Sequence, residues 1–236
     1  MEAIILAGGA GTRLQSVVRD VPKPMADING RPFLCYLLDY LSTQDINKVL
    51  LSVGYRYEII QDYFGLQYKT LDIRYVIEDK PLGTGGAIRK ALELISGDEA
   101  VVLNGDTFFN LDLKKMVDFH HVEDSMLTIA VKSMHNFDRY GTVIIKDSRV
   151  SGFEKKTFKQ FGYINGGVYA MNKAISKFFD YGKDAFSFEI DVLHKKINDI
   201  HSSAFISDGY FIDIGIPDDY KKAQKELNHI LKGVHG

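Results

Sequence analysis

An uninterrupted apolar run, Ala3 to Ala7, breaks at once into the glycine-rich stretch Gly8-Gly9-Ala10-Gly11-Thr12-Arg13, and this junction constrains the chain more than any other feature. A run that is continuous rather than alternating suits a strand covered on both faces, as in a parallel sheet between layers of helix. Glycines at the strand's carboxyl end remove side chains from the turn, so that backbone N–H groups can approach an anion closely. The stretch is not a Walker loop, because no Gly-Lys-Ser/Thr follows, and it is not the dinucleotide fingerprint, because Leu14 stands where the third glycine would be. Taken alone, it reads equally as a tight turn or as a phosphate cradle. Further on, Lys23 lies between Pro22 and Pro24, whose fixed φ angles stiffen the segment and restrict where its ammonium can point.

The segments after this junction support a parallel core. Phe33, Leu34, Leu37, Leu38 and Leu41 recur at helical spacing after Pro32. A strand is predicted over Lys48 to Val53, a helix over Tyr57 to Phe64 and a strand over Ile73 to Glu78. This βαβαβ beginning favours a doubly wound sheet, in which ligands bind outside the carboxyl ends of the strands. Pro81 to Ala87, PLGTGGA, places a second glycine-rich turn at a strand end, leading into the helical run AIRKALELI. It reads as an anion-binding helix start or as a turn capped by Thr84.

The next strand, Glu99 to Leu103, ends in Asn104-Gly105-Asp106, and Asp213 in YFIDIG repeats the arrangement far along the chain. Each aspartate reads either as a local turn residue or as a hard oxygen ligand for Mg²⁺ together with substrate phosphates. Between them come a helix over Leu113 to His121, a strand over Leu127 to Lys132, and short segments over Thr142 to Lys146, Val150 to Lys155 and Tyr163 to Met171. Their spacing and glycine punctuation predict antiparallel strands flanking the parallel core, able to hold a second substrate. Glu154 and Lys155, adjacent on a predicted strand, would face opposite sides, as a solvated edge pair or as separate contacts to hydroxyls and phosphate. Ser187 to Asn198 reads as a capped helix with Glu189 in its first turn, where Glu189 favours the dipole whatever else it does. Pro217 opens the last helix.

Composition narrows the function. The chain of 236 residues carries 29 Lys and Arg against 31 Asp and Glu, a net charge of −2, which gives no electrostatic case for nucleic acid or an anionic membrane. Cys35 is the single cysteine, so no internal disulfide forms. The apolar run at the start is too short for a signal-peptide core or a membrane span, and no basic region precedes it; the expectation is a cytoplasmic protein. The histidines lack zinc-ligand spacing, and no nucleophile elbow is present.

Together, LAGGAGTRL, PKPM, PLGTGGA, NGD, EK, NGGVY, SFEID and DIG resemble the sugar-1-phosphate nucleotidyltransferase family, in its order and over nearly the whole chain. The resemblance implies a single α/β domain with a Rossmann-like, doubly wound, mixed but mainly parallel sheet and a small antiparallel β insertion. It implies a nucleotide-binding part over about 1–112, a sugar-phosphate part over about 113–216 and a C-terminal helix over about 217–232. The nucleotide side would comprise Leu6, Ala7, Gly8, Gly9, Gly11, Thr12 and Arg13, with Glu78, Pro81, Gly83, Thr84, Asn104, Gly105 and Asp106. Glu78 stands where many relatives have glutamine near the base. Gly141, Glu154, Lys155, Asn165 and Glu189 would form the sugar-phosphate side, Asp106 and Asp213 would bind Mg²⁺, and Arg13 and Lys23 would act on the reacting phosphates. The implied substrates are an NTP and a sugar 1-phosphate, without nucleic acid or membrane, and self-association is left open. KPLGTGGAI and FSFEIDVL resemble the short members that join GTP to a heptose 1-phosphate for surface glycans. Mannose or glucose 1-phosphate with GTP, UTP, CTP or dTTP is the competing expectation. A nucleotide-sugar-binding regulator without turnover is the alternative of a different class.

Overall fold

The computed structural model describes residues 1–9, 11, 14, 18 and 20–234, apart from the side chains of 228, 229 and 231–234. The apolar runs become strands β1 (Glu2–Leu6), β4 (Lys48–Val53), β6 (Leu71–Ile77) and β7 (Glu99–Asn104), joined through helices α1 (Phe33–Ser42), α2 (Tyr57–Phe64) and α3 (Gly83–Leu92). The short strands β2 (Asp27–Ile28), β3 (Arg31–Pro32) and β5 (Gln67–Tyr68) lie between them, β2 and β3 pairing with each other. After β7 come β8 (Thr107–Phe109), α4 (Leu113–Val122), β9 (Leu127–Phe137), β10 (Val143–Lys146), β11 (Arg149–Phe153) and β12 (Lys159–Asn172). The chain closes with α5 (His194–Lys196), β13 (Ser202–Ser207), β14 (Phe211–Asp213) and α6 (Pro217–Val234).

Ten strands form one sheet in the order β10-β11-β13-β9-β12-β7-β1-β4-β6-β5. Its β7-β1-β4-β6 section is parallel, in keeping with the continuous apolar runs of β1, β4 and β7, while β6 next to the edge alternates buried and exposed residues. Alternate residues of β1 feed two cores: Ala3 and Ile5 pack with α1 on one face, while Ile4 packs with Ile88 and Ala91 of α3 on the other. The chain leaves β1 toward β4 on one side and returns to pair β7 on the other. The carboxyl ends of β1 and β7 therefore flank the switch point, where open α/β sheets bind ligands.

The antiparallel strands extend this same sheet, with β12 pairing β7 on one edge and β9 on the other. β9 runs five residues past the predicted Lys132, to Phe137. The added length pairs with the start of β12 as a ribbon in which Ser133 and Met134 are half-buried, His135 and Asn136 are exposed and Phe137 is buried, so it carries no continuous apolar run. A second difference concerns Glu154 and Lys155, which lie just beyond β11 rather than on it, because pairing of β10 with β11 stops at Val143 and Phe153. The predicted continuous helix over Ser187 to Asn198 is instead a π turn (Phe188–Leu193), the single turn α5 and a 3₁₀ turn (Ile197–Asp199). Its Ser187 cap is present, the hydroxyl accepting from Ile190 N. Thr84 Oγ1 takes the Phe188 amide and the Asp191 carboxylate takes the Ser187 amide, so the first turn is anchored from outside before regular winding begins.

Candidate active site

A crevice of about 750 Å³ opens at the switch point, within the range of small-molecule sites. Leu6, Gly8 and Gly9 line it from the β1 side, Asn104, Gly105 and Asp106 from the β7 side, and Glu78, Pro81, Gly83, Thr84 and Glu189 across from them. Gly105 donates its amide to Leu6 O at 3.0 Å and lies so close that a Cβ would run into that oxygen. This contact draws the ends of the two strands together.

Lys23 occupies a short 3₁₀ turn (Lys23–Met25) introduced by Pro22, and it is only 8% exposed. Two glycines clear its path. Gly11, at φ +61°, would place a Cβ 2.8 Å from Lys23 Cβ, and a Cβ on Gly215 would lie 3.2 Å from Lys23 Nζ. The ammonium bonds Asp106 Oδ2 and stands 4.0 Å from Asp213 Oδ1. The aspartates, 107 positions apart in sequence, meet because β8 and β14 pair with Asp213 opposite Thr107, and Ile214 N donates to Asp106 O at 2.9 Å. Burial pushes the Asp213 carboxyl above its ordinary range and the charge of Asp106 adds to that; the Lys23 ammonium opposes both.

The residues fit a magnesium ion. Asp106 and Asp213 offer hard oxygens, and among the described residues no three His, Cys, Asp or Glu gather into a self-sufficient cation site. Mg²⁺ is commonly held by one or two carboxylates, with substrate phosphates and water completing its shell.

Glu78 follows β6 and faces Gly8, where a Cβ would lie 2.5 Å from Glu78 Oε1. Its carboxylate accepts from Ser52 Oγ at 3.1 Å and from Leu82 N at 3.1 Å, which fixes the group at the crevice wall with acceptor capacity left over. Thr84 does not cap α3, since Leu82 holds the cap position without a side-chain bond. The Thr84 hydroxyl instead donates to Glu189 Oε2 at 2.7 Å and accepts from Phe188 N at 2.9 Å. It thereby ties the SFEID segment to PLGTGGA. The glycines of PLGTGGA serve this packing: a Cβ on Gly85 would enter the Phe186 ring, and one on Gly86 would lie 2.7 Å from Asp184 O.

The other expected site residues are placed differently. Ala7, Gly11, Gly141, Glu154, Lys155, Asn165 and Asp213 are not among the described residues lining the crevice. Glu154 is exposed, accepting from Thr142 Oγ1 at 2.6 Å and pairing with Lys159 at 2.6 Å, while Gly141 abuts the Glu154 carbonyl. Asn165 donates to the Tyr169 hydroxyl at 2.9 Å and accepts from Gly167 N. Thr12 and Arg13 lie outside the described residues. Asn104 Oδ1 is buried beside the crevice without a partner, a detail that sequence cannot supply.

Crevice, glycine turns and the lysine–carboxylate cluster define a class of protein: this chain belongs to the nucleotidyl transferase family, whose model matches residues 2–229. It is 53% identical over 231 residues to the D-glycero-α-D-manno-heptose 1-phosphate guanylyltransferase of Aneurinibacillus thermoaerophilus, covering 98% of this chain and 100% of that one. It is 48% identical to the enzyme of the same name from Campylobacter jejuni, covering 93% and 97%. Among solved structures, HddC from Yersinia pseudotuberculosis complexed with GMP-PN superposes with a TM-score of 0.86 at 41% identity, covering 96% of this chain and 99% of that one.

Proposed function

We propose that this chain joins GTP to D-glycero-α-D-manno-heptose 1-phosphate, giving GDP-heptose and pyrophosphate for surface glycan synthesis in the cytoplasm. The observation that carries the chemistry is the Lys23 ammonium between Asp106 and Asp213 at the edge of the crevice. The full-length identity to two heptose 1-phosphate guanylyltransferases supports the choice of substrates.

A phosphate oxygen of the sugar 1-phosphate attacks the α-phosphorus of GTP; the new P–O bond forms as the α–β bridge breaks, and pyrophosphate carries away the electron pair. The nucleophile is already an anion near neutral pH, so no general base is required. The work lies in bringing two polyanions together and stabilising charge at the α-phosphate. Gly8 and Gly9 leave room for the triphosphate, the Glu78 carboxylate accepts from the N1–H and N2 amino group of guanine, and Lys23 holds charge at the reacting phosphate. Arg13 acts on the triphosphate. Asp106 and Asp213 would hold Mg²⁺, which when bound offsets the negative charge of the triphosphate. Glu189, bonded to Thr84 within the crevice, meets the sugar, and the role of binding the sugar's phosphate is assigned to Lys155, which is exposed outside the crevice lining.

The direct test is Lys23→Ala. The variant is expected to keep its fold and lose roughly 10² or more in kcat, the scale on which a preorganised charge stabiliser acts. Near-wild-type pyrophosphate release by a folded variant would remove Lys23 from this role.

A further inference from the structure

The turn that carries Asp213 is gripped at both ends from one corner, Asp138 to Tyr140, which follows the ribbon of β9. At the far end, Arg139 makes a two-pronged ion pair with Asp219 in the first turn of α6: Nη1 donates to Oδ1 at 3.0 Å and Nη2 to Oδ2 at 2.6 Å. At the near end, the Tyr140 ring lies edge-on to Phe211 of β14 at 5.9 Å, and Phe211 lies edge-on to Phe109 of β8 at 5.7 Å. The two grips are one unit, because the Arg139 guanidinium sits over the Tyr140 ring at 5.6 Å. Asp213 stands between them, two residues past Phe211 and six before Asp219. An open groove of about 250 Å³ runs along this corner, with Arg139, Asp213 and Asp219 among its lining residues.

We infer that Arg139 is a positioning residue: through Asp219 and Tyr140 it holds β14 in register, and so sets where the Asp213 carboxylate stands relative to Lys23 and Asp106. A planar, forked guanidinium suits this task, since only such a group can engage both carboxylate oxygens while stacking on a ring. Residues that orient metal-holding carboxylates in this way commonly change metal affinity or activity by about 10–100-fold when removed.

The inference rests on Asp213 as a metal-holding residue, and the experiment keeps the two apart. Arg139→Gln and Asp219→Asn are compared with the wild-type protein in two measurements without substrates: amide hydrogen exchange of residues 211–215, with residues 168–171 of β12 as internal control, and binding of Mn²⁺ in place of Mg²⁺. Both variants are expected to exchange about tenfold faster at 211–215 with the β12 segment unchanged, and both to bind Mn²⁺ about tenfold more weakly. Unchanged exchange at 211–215, or equal acceleration in β12, overturns the inference. Opposite shifts in Mn²⁺ affinity, tighter for Arg139→Gln and weaker for Asp219→Asn, also overturn it, because they are what a distant charge alone would do. Should Asp213→Asn bind Mn²⁺ as the wild type does, the metal assignment fails, while the exchange data still decide whether Arg139 holds β14.

Discussion

Gly11 and Lys23 are coupled although twelve positions separate them. The left-handed φ of +61° at Gly11 is strained for any other residue, and its missing Cβ is the space that the stem of Lys23 occupies. Gly11→Ala is therefore expected to destabilise the fold by about 1–3 kcal/mol and to lower kcat by displacing Lys23. Thermal unfolding with a pyrophosphate assay checks both; unchanged turnover would separate the glycine from the lysine. At this scale the sequence was informative about chemistry and silent about partners. Glycines next to a strand and a lysine between prolines are visible in one dimension. That Asp106 and Asp213 meet across Lys23 is not, because the β8–β14 pairing is a long-range contact without a local pattern. Likewise Asp39, an acid inside an apolar helix, gives no hint that Arg31, Lys69 and Tyr68 converge on it at 2.7, 2.6 and 2.9 Å.

Among the elements, α3 shows how packing overrides propensity. Ala in place of Gly85 would favour a helix by about 1 kcal/mol, yet its methyl group would enter the Phe186 ring. Overpacking of this kind costs about 1–3 kcal/mol, so Gly85→Ala is expected to lower Tm by several degrees. Gly97, where a Cβ would meet nothing within 4 Å, serves as control, and Gly97→Ala should leave Tm essentially unchanged. Equal effects at both positions would contradict this reading of PLGTGGA. Strands and helices with strong apolar periodicity were legible: β4 and α2 coincide with the predicted spans. Elements set by contacts elsewhere were not. The π turn at Phe188 depends on Thr84, 104 residues away, and the outer half of β9 depends on its partner strand.

For the molecule as a whole, the parallel section of the ten-stranded sheet follows from alternating strand and helix signals and its antiparallel section from short, glycine-punctuated strands, and no helix among the described residues is long and apolar enough to cross a membrane. Two buried groups, His120 and Asp39, should each lower stability toward acid pH, in different windows. Burial lowers the pKa of His120, with the Glu99 charge opposing and the His121 charge adding to it, while its Nδ1 lies 2.8 Å from Thr128 Oγ1. The unfolded chain takes up this proton near its ordinary value of about 6.5 and the folded chain only lower, so stability falls as pH drops below about 6.5. Burial pushes Asp39 up, but its bonds from Lys69, Arg31 and Tyr68 outweigh that and hold it below the ordinary aspartate value; its contribution is lost only at more acid pH, below about 3.9. The urea midpoint is thus expected to fall between pH 7 and pH 5, and to fall less in His120→Gln; equal slopes would remove His120 as the cause.

The reading as a heptose 1-phosphate guanylyltransferase is tested most directly by substrate choice. GTP, UTP, CTP and dTTP are each offered with D-glycero-α-D-manno-heptose 1-phosphate, mannose 1-phosphate and glucose 1-phosphate in the presence of Mg²⁺, and pyrophosphate release is followed. The pair of GTP and the heptose 1-phosphate is expected to give the highest kcat/KM. A higher value for another base or sugar would contradict the proposed substrates, and no pyrophosphate from any pair would contradict nucleotidyl transfer itself.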